Sequence, residues 1–251
     1  MNKDTFDIDN AIQFLPDIVI EREFNDGKSI WNKEIKTLSI ALPKIKTAVW
    51  LIDTHISYKR HKEYMKNFDY VFFAISKYAE ELKGFWLPLC YPCPRIQRFS
   101  DIPIHRIGFV GRWGGFFEER SRKLALLKQL YEDDFFMVTD YNTVYQTMAK
   151  CKIMFNCSIG IDMNYRVFEA LGTGNMLVTN DVPDLHKIKG LSDKIFIYKH
   201  YKDLVGIISN LLEVDYNEKE KNIKFIEDYH LLPNRIQSML KMIESGKQEE
   251  F

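Results

Sequence analysis

The chain has 251 residues, 46% of them hydrophobic and 14% aromatic, enough for packed cores in one large or two small domains. Its 35 Lys and Arg balance 35 Asp and Glu, so no global field draws it toward nucleic acid or an acidic membrane. The opening MNKDTFDIDN lacks the basic start and apolar core of a secretory signal, and no apolar run reaches the roughly 20 residues of a membrane span, so a soluble cytoplasmic protein is expected.

In chain order, apolar β-branched runs alternate with segments of helical period, the rhythm of parallel βαβ units. Strands are predicted at 17–20 (DIVI), 47–52 (TAVWLI), 70–74 (YVFFA), 84–87, 106–110 (RIGFV), 135–139 (FFMVT), 153–156 (IMFN), 175–179 (NMLVT) and 194–198 (KIFIY). Helices are predicted at 30–42, 58–67, 117–131, 141–149, 164–171 and 201–212, with a last helical stretch, 218–244, broken by Pro233.

The rhythm stops once. Between Pro88 and Pro103, four prolines in sixteen residues bar regular helix and central strand, which places a boundary between an N-terminal domain, 1–100, and a C-terminal domain, 104–230, with a helix at 232–251 free to pack back on the first. Four cysteines do not make a disulfide framework, and the C-x-x-C of Cys90 and Cys93 lies among prolines without a second pair, so linker packing is the expected role there. The histidines show no metal-ligand spacing, so no metal is expected.

Three strand ends carry polar groups that could do chemistry. The first is RIGFVGRWGG, 106–115, where Gly108, Gly111, Gly114 and Gly115 precede a helix. Such a turn lets backbone N–H groups approach a phosphate, and Arg112, Arg120 and Arg122 favour an anion; a tight turn that simply needs glycine reads equally well. The second is NCSIGIDMNYRVFEALGTG, 156–174, where Asn156 and Ser158 follow a strand and Asn164 suits a helix N-cap. In that helix Val167, Phe168 and Leu171 form an apolar face and Arg166, Glu169 and Thr173 a polar one, which could face a ligand or be a surface ion pair. The third is WLIDTH, where Asp53 and His55 lie two apart and share a side of an extended backbone, as a general base or as capping groups. Lys59, Arg60, His61, Lys62 and Lys66 follow as a basic cluster, either a solvated face or a phosphate contact.

Together these pieces resemble the CgeB-like group of glycosyltransferases, relatives of group 1 with the GT-B fold. The resemblance rests on WLIDTH at 50–55, WLPLCYP at 86–92, GFVGR at 108–112, YQTMAKCKIMFNCS at 145–158, DMNYRVFEALGTGNMLVTND at 162–181, and the pair His230 and Arg235. It implies an α/β protein with two Rossmann-like parallel-sheet domains facing a cleft, the N-terminal one reduced, and transfer of a sugar from a nucleotide sugar, a UDP-sugar first, to an acceptor hydroxyl. By the same resemblance Glu169 accepts hydrogen bonds from the donor ribose, Arg166 and Asn164 lie near the diphosphate or sugar, and Gly111 and Arg112 border the diphosphate. Asn156 and Ser158 complete the donor side, and Asp53 and His55 approach from the acceptor side. A second Glu common in that superfamily is absent, since position 177 is Leu. No tightly bound cofactor is expected. The acceptor is a glycan, small molecule or surface polymer; a hydroxymethylated DNA base is the alternative prompted by the basic cluster, and a non-catalytic sugar-binding module the alternative prompted by the short first domain.

Overall fold

The computed structural model describes residues 12–23, 32–99, 104–114, 117–139 and 143–251. Ile30 and Trp31 of the first expected helix, Tyr141 and Asn142 of the fourth, Gly115, and Pro103 lie outside the described residues. The chain divides into two compact units, Met1–Pro88 with Met239–Glu249, and Leu89–Ser238 with Glu250–Phe251.

The first unit is built from β1 (Ile18–Glu23), α1 (Asn32–Ala41), β2 (Lys46–Leu51), α2 (Thr54–Tyr64), β3 (Tyr70–Phe73), α3 (Ser76–Leu82) and β4 (Phe85–Trp86). Its four strands are parallel and lie in sequence order, β1-β2-β3-β4. Every residue of β2 from Thr47 to Leu51 is buried, as expected of a central parallel strand covered on both faces. Val49, Leu51, Phe73, Tyr64 and Ala79 form its core.

The helix α3 has no counterpart in the sequence pattern. Its seven residues make only two turns, too few for the helical period to show; it closes on Lys83 in the left-handed region, φ +58°. The helix expected at 58–67 begins instead at Thr54, because Asp53 adopts φ +58° and turns the chain from β2 directly into α2.

The second unit holds β5 (His105–Val110), α4 (Glu118–Tyr131), β6 (Phe135–Val138), α5 (Val144–Ala149), β7 (Cys151–Phe155), α6 (Arg166–Gly172), β8 (Met176–Asn180), β9 (Ile195–Tyr198), α7 (Tyr201–Glu213) and α8 (Lys219–Tyr229). A last helix, α9 (Leu232–Ser245), begins in this unit, and its residues from Met239 belong to the first. All five strands are parallel, in the order β6-β5-β7-β8-β9. Ile107 and Phe109 of β5 and Ile153 and Phe155 of β7 alternate toward one face, where Leu124 and Leu127 of α4 and Leu204, Ile208 and Leu211 of α7 cover them. Gly108 faces the other way; a Cβ there would stand 2.4 Å from Cys151 Sγ and 2.9 Å from Met154 Sδ, so β5 has no room for a side chain against β7.

The proline-rich stretch forms neither helix nor central strand, yet it is not a solvated linker. Leu89, Cys90 and Tyr91 are buried, and the Tyr91 N–H donates to the His230 carbonyl at 2.8 Å. All four cysteines are free thiols. Arg235, in the first turns of α9, anchors this region. Its guanidinium donates to the Leu89 carbonyl at 3.3 Å, the Tyr229 carbonyl at 3.4 Å and His230 Nδ1 at 2.8 Å, and lies over the rings of Phe168 and Phe251. A guanidinium only donates, so His230 Nδ1 must accept and the ring proton rests on Nε2. Burial and the Arg235 charge push the His230 pKa down to about 3, which keeps that tautomer neutral. Burial also lowers Arg235, to about 10, so it remains a cation at neutral pH.

Among the described residues no helix is long and apolar enough to cross a membrane.

Replacing Arg235 with Ala removes one donor group shared by at least three acceptors and should lower stability by roughly 3 kcal/mol. The expected readout is a fall in the denaturation midpoint. Arg235→Lys, which keeps the charge without the planar fork, should recover only part of it.

Candidate functional site

In the second sheet the winding reverses between β5 and β7: from β5 the chain crosses to β6 on one side, then returns past β5 to β7. At such a switch point the connections leave the carboxyl ends in opposite directions and open a crevice where ligands bind. The first sheet, wound in one direction among its described strands, has no equivalent. Here the crevice is a space of about 300 Å³, lined among others by Phe109, Gly111, Arg112, Arg120, Asn156, Asn164, Tyr165 and Arg166.

Gly111 ends β5 with φ +153°, and its N–H donates to the Val138 carbonyl at 3.0 Å. Gly114 has φ +83° and donates its N–H to Ser121 Oγ at 2.8 Å, which ties the loop to the first turn of α4. Arg120 is used for construction: Nε and Nη2 donate to the Cys157 carbonyl at 3.0 and 2.8 Å, and Nη1 to the Arg112 carbonyl at 2.9 Å. It thereby clamps the β5 turn to the loop after β7. Arg122 turns outward to Glu118, so it does not join the anion-facing group expected of it. The Arg112 side chain is exposed and has no hydrogen-bond or ion-pair partner among the described residues.

After β7, Asn156 is buried and fully engaged. Its Nδ2 donates to Thr179 Oγ1 at 3.0 Å and Ser158 Oγ at 3.3 Å, while its Oδ1 accepts from Asn164 Nδ2 at 3.1 Å. The Ser158 N–H donates to Asn180 Oδ1 at 2.6 Å. Asn164 Oδ1 in turn accepts the Arg166 N–H at 3.1 Å, one residue outside the cap position, which Tyr165 takes, and the helix starts at Arg166. These amides hold the loop and aim the next helix.

On α6, Arg166 Nη1 donates to Glu169 Oε2 at 2.5 Å, so the two do pair at i, i+3 as on a surface. They are not on a surface: their side chains are 13% and 10% exposed. Burial raises the Glu169 pKa above its ordinary 4.5, opposed by the Arg166 charge and by a hydrogen bond from the Tyr145 hydroxyl. Thr173 corrects the expected polar face. It is buried at the helix end, its hydroxyl 2.9 Å from the Glu169 carbonyl and 2.6 Å from Asn175 Oδ1, so it closes the helix and does not line the crevice.

In the first unit the extended geometry expected for Asp53 and His55 is not formed, since β2 ends at Leu51 and His55 lies in the first turn of α2. The Ile56 and Ser57 N–H groups donate to the Asp53 carbonyl. Burial lowers the His55 pKa, against a smaller opposing effect of Asp53, and its buried Nδ1 has no hydrogen-bond partner among the described residues. The basic cluster is thinner than its sequence: His61 is buried against Thr54 Oγ1 at 3.0 Å, and Lys66 pairs with Glu63.

A larger concavity of about 350 Å³ lies at the opposite, amino end of the second sheet, beside His105, Arg106, Lys152 and Asn175. Two of its cations already have work: Lys152 Nζ and Arg106 Nη2 donate to the Leu212 carbonyl in the last turn of α7, and Arg106 pairs with Asp134 and Glu213. The crevice with the exposed Arg112 is the better candidate.

A one-way parallel sheet followed by a doubly wound one with its crevice at β5 and β7 defines an α/β protein of the GT-B class. Solved structures share the fold. HepE from Anabaena in complex with UDP and glucose is 14% identical, with a TM-score of 0.61 over 95% of this chain and 81% of that one. A glycosyltransferase from Rickettsia africae is 11% identical, with a TM-score of 0.61 over 98% and 83%. The pneumococcal O-GlcNAc transferase GtfA, in complex with UDP and GlcNAc, is 11% identical, with a TM-score of 0.57 over 91% of this chain and 56% of that one. The chain thus spans little more than half the length of GtfA, and 60% of a chain of the GtfA/B complex. No curated protein matches it. Residues 105–241, more than half of the chain, match the family described as glycosyl transferase-like, and the chain belongs to that family.

Because the folded Glu169 pKa lies above its unfolded value, the stability this group contributes is fully present below the ordinary 4.5 and is lost as pH rises through the raised value. The ionised carboxylate therefore costs stability at neutral pH. Glu169→Gln, neutral throughout, should melt at or above the wild-type temperature at pH 7, with an advantage that grows as pH rises above the ordinary 4.5 and levels off above the raised value. A variant that melts lower across that range would show that the charge pair with Arg166 outweighs the burial.

Proposed function

We propose that the chain is a nucleotide-sugar-dependent glycosyltransferase of the CgeB-like group, with a UDP-sugar as donor and an acceptor hydroxyl on a glycan, small molecule or surface polymer. The observation that carries this reading is the unequal charge at the switch-point crevice: Arg112 and Arg166 line it together with Arg120, which holds loop carbonyls, and one desolvated carboxylate, Glu169, pairs with Arg166. Two cations suit a diphosphate, and a buried carboxylate suits the hydroxyls of a ribose, through charge-assisted hydrogen bonds. The solved structures of HepE and GtfA with UDP support the choice of nucleotide.

In the proposed reaction the acceptor oxygen bonds to the anomeric carbon as the bond from that carbon to the diphosphate oxygen breaks. The electron pair leaves with the nucleoside diphosphate. Arg112 and Arg166 meet the charge that develops there. Asn156, Ser158 and Asn164 keep the loop and α6 in place for it. In the first unit, His55 and Asp53 are assigned to the acceptor. Burial lowers the His55 pKa, so the ring is neutral near pH 7 and able to take the hydroxyl proton, while Asp53 favours the imidazolium that results.

Thermal melting with a panel of nucleoside diphosphates tests the donor site. UDP should raise the melting temperature, and Glu169→Ala or Arg112→Ala should weaken its binding about 10- to 100-fold, the loss of a charge-assisted hydrogen bond. If no nucleoside diphosphate stabilises the protein, the reading is wrong. Binding without sugar transfer or slow donor hydrolysis would instead favour a non-catalytic sugar-binding module.

A further inference from the structure

The Glu169 carboxylate is held from two directions, and one holder comes from a helix outside the 162–181 block. Tyr145, in the first turn of α5, donates its hydroxyl to Glu169 Oε1 at 3.4 Å, while Arg166 Nη1 takes Oε2 at 2.5 Å. Behind the hydroxyl, Cys93 Sγ lies 3.8 Å away, and the Tyr145 ring packs on buried Tyr91 with centroids 5.3 Å apart. Residues 91–93 are themselves pinned, by the bond from the Tyr91 N–H to the His230 carbonyl and by that from the Leu232 N–H to the Cys93 carbonyl.

We propose that Tyr145 is a positioning residue for nucleotide binding: its hydroxyl holds the Glu169 carboxylate in the orientation that accepts the vicinal hydroxyls of a ribose. The inference rests on the donor-site reading above. Each carboxylate oxygen has two acceptor sites. Arg166 occupies one on Oε2 and Tyr145 one on Oε1, which leaves one on each oxygen for the two hydroxyls of a diol. Without the phenol, Arg166 is the one hydrogen-bond partner left among the described residues to fix the terminal torsion of Glu169, a broad, two-fold rotor.

Among the described residues, the ionisable or charged side chains that act on this carboxylate are Arg166 on α6, Tyr145 on α5 and Tyr91 from the proline-rich segment, with Cys93 behind Tyr145. Arg166 and Tyr145 are the two that oppose the upward push of burial on Glu169. Loss of the Tyr145 hydroxyl therefore disorders the carboxylate and favours its protonation, and both effects weaken a ligand that needs an acceptor.

The test is Tyr145→Phe, which keeps the ring and removes one oxygen, with Cys93→Ala as a control that disturbs the same packing but spares the Tyr145–Glu169 bond. UDP binding is followed by calorimetry from pH 5.5 to 8, and the Glu169 carboxyl is titrated by NMR in the ligand-free protein. Tyr145→Phe should bind UDP about tenfold more weakly at pH 7. Its affinity should fall away at a higher pH than in the wild type, with the Glu169 titration displaced the same way, whereas Cys93→Ala should match the wild type. An unmoved Glu169 titration in Tyr145→Phe, or an equal displacement in Cys93→Ala, would overturn the proposal by reducing Tyr145 to packing. Failure of the wild type to bind UDP or any other nucleoside diphosphate is read before any variant is made, and it overturns the donor-site reading and this one together.

Discussion

A wholly parallel sheet is covered by the helices that connect its strands, and it opens at an edge only where the winding changes direction. In the second unit that reversal falls between β5 and β7, and the rest of the candidate site follows from it. The residues that must leave those two strands, Gly111 and Arg112 on one side and Asn156 through Ser158 on the other, are placed at the crevice by topology before any side chain acts. Arg120 then bonds the two exits together through the carbonyls of Arg112 and Cys157, so the crevice has fixed walls. The first sheet has the same strand type and the same hydrophobic chemistry, but its described strands run in sequence order and make no such opening.

Behind the crevice the second unit handles buried charge by two different physical means. Arg235 is spread over backbone carbonyls, a neutral imidazole and two aromatic faces, which replace part of the water a cation loses on burial. Glu169 is treated otherwise. Its helix presents Arg166 one turn away, and α5 supplies a phenol, yet burial still dominates and its pKa stays raised. A carboxylate kept dry against its electrostatic preference is a group whose stability cost calls for another explanation, and a ligand that donates hydrogen bonds would supply it.

Much of this was legible in the residues. All nine strands stand within three residues of their expected limits at either end, because fully buried parallel strands read as short apolar runs bounded by polar or glycine residues. The helix α3 was not legible, since two turns carry no clear period, nor was the left-handed Asp53 that starts α2 early. Within the site, the spacing of Arg166 and Glu169 announced a pair but not its burial. Thr173 looked like part of the same face and is instead a helix-closing group, because α6 ends at Gly172 and the next residues turn under it. Tyr145 carried no signal as a partner of Glu169: it is 24 residues away, on a helix too short to show a face.

The sequence by itself determined the strands and most of the helices, the α/β class and the residue types gathered at strand ends, for these depend on local period, glycine and proline geometry, and hydrophobic runs that act over a few residues. Only the tertiary structure decided which strand ends meet, which of the polar residues are spent on holding loops, and how dry the Arg166–Glu169 pair is. Those properties arise from contacts between segments far apart in the chain. Desolvation in particular belongs to no residue, because it is set by whatever the rest of the fold places around it.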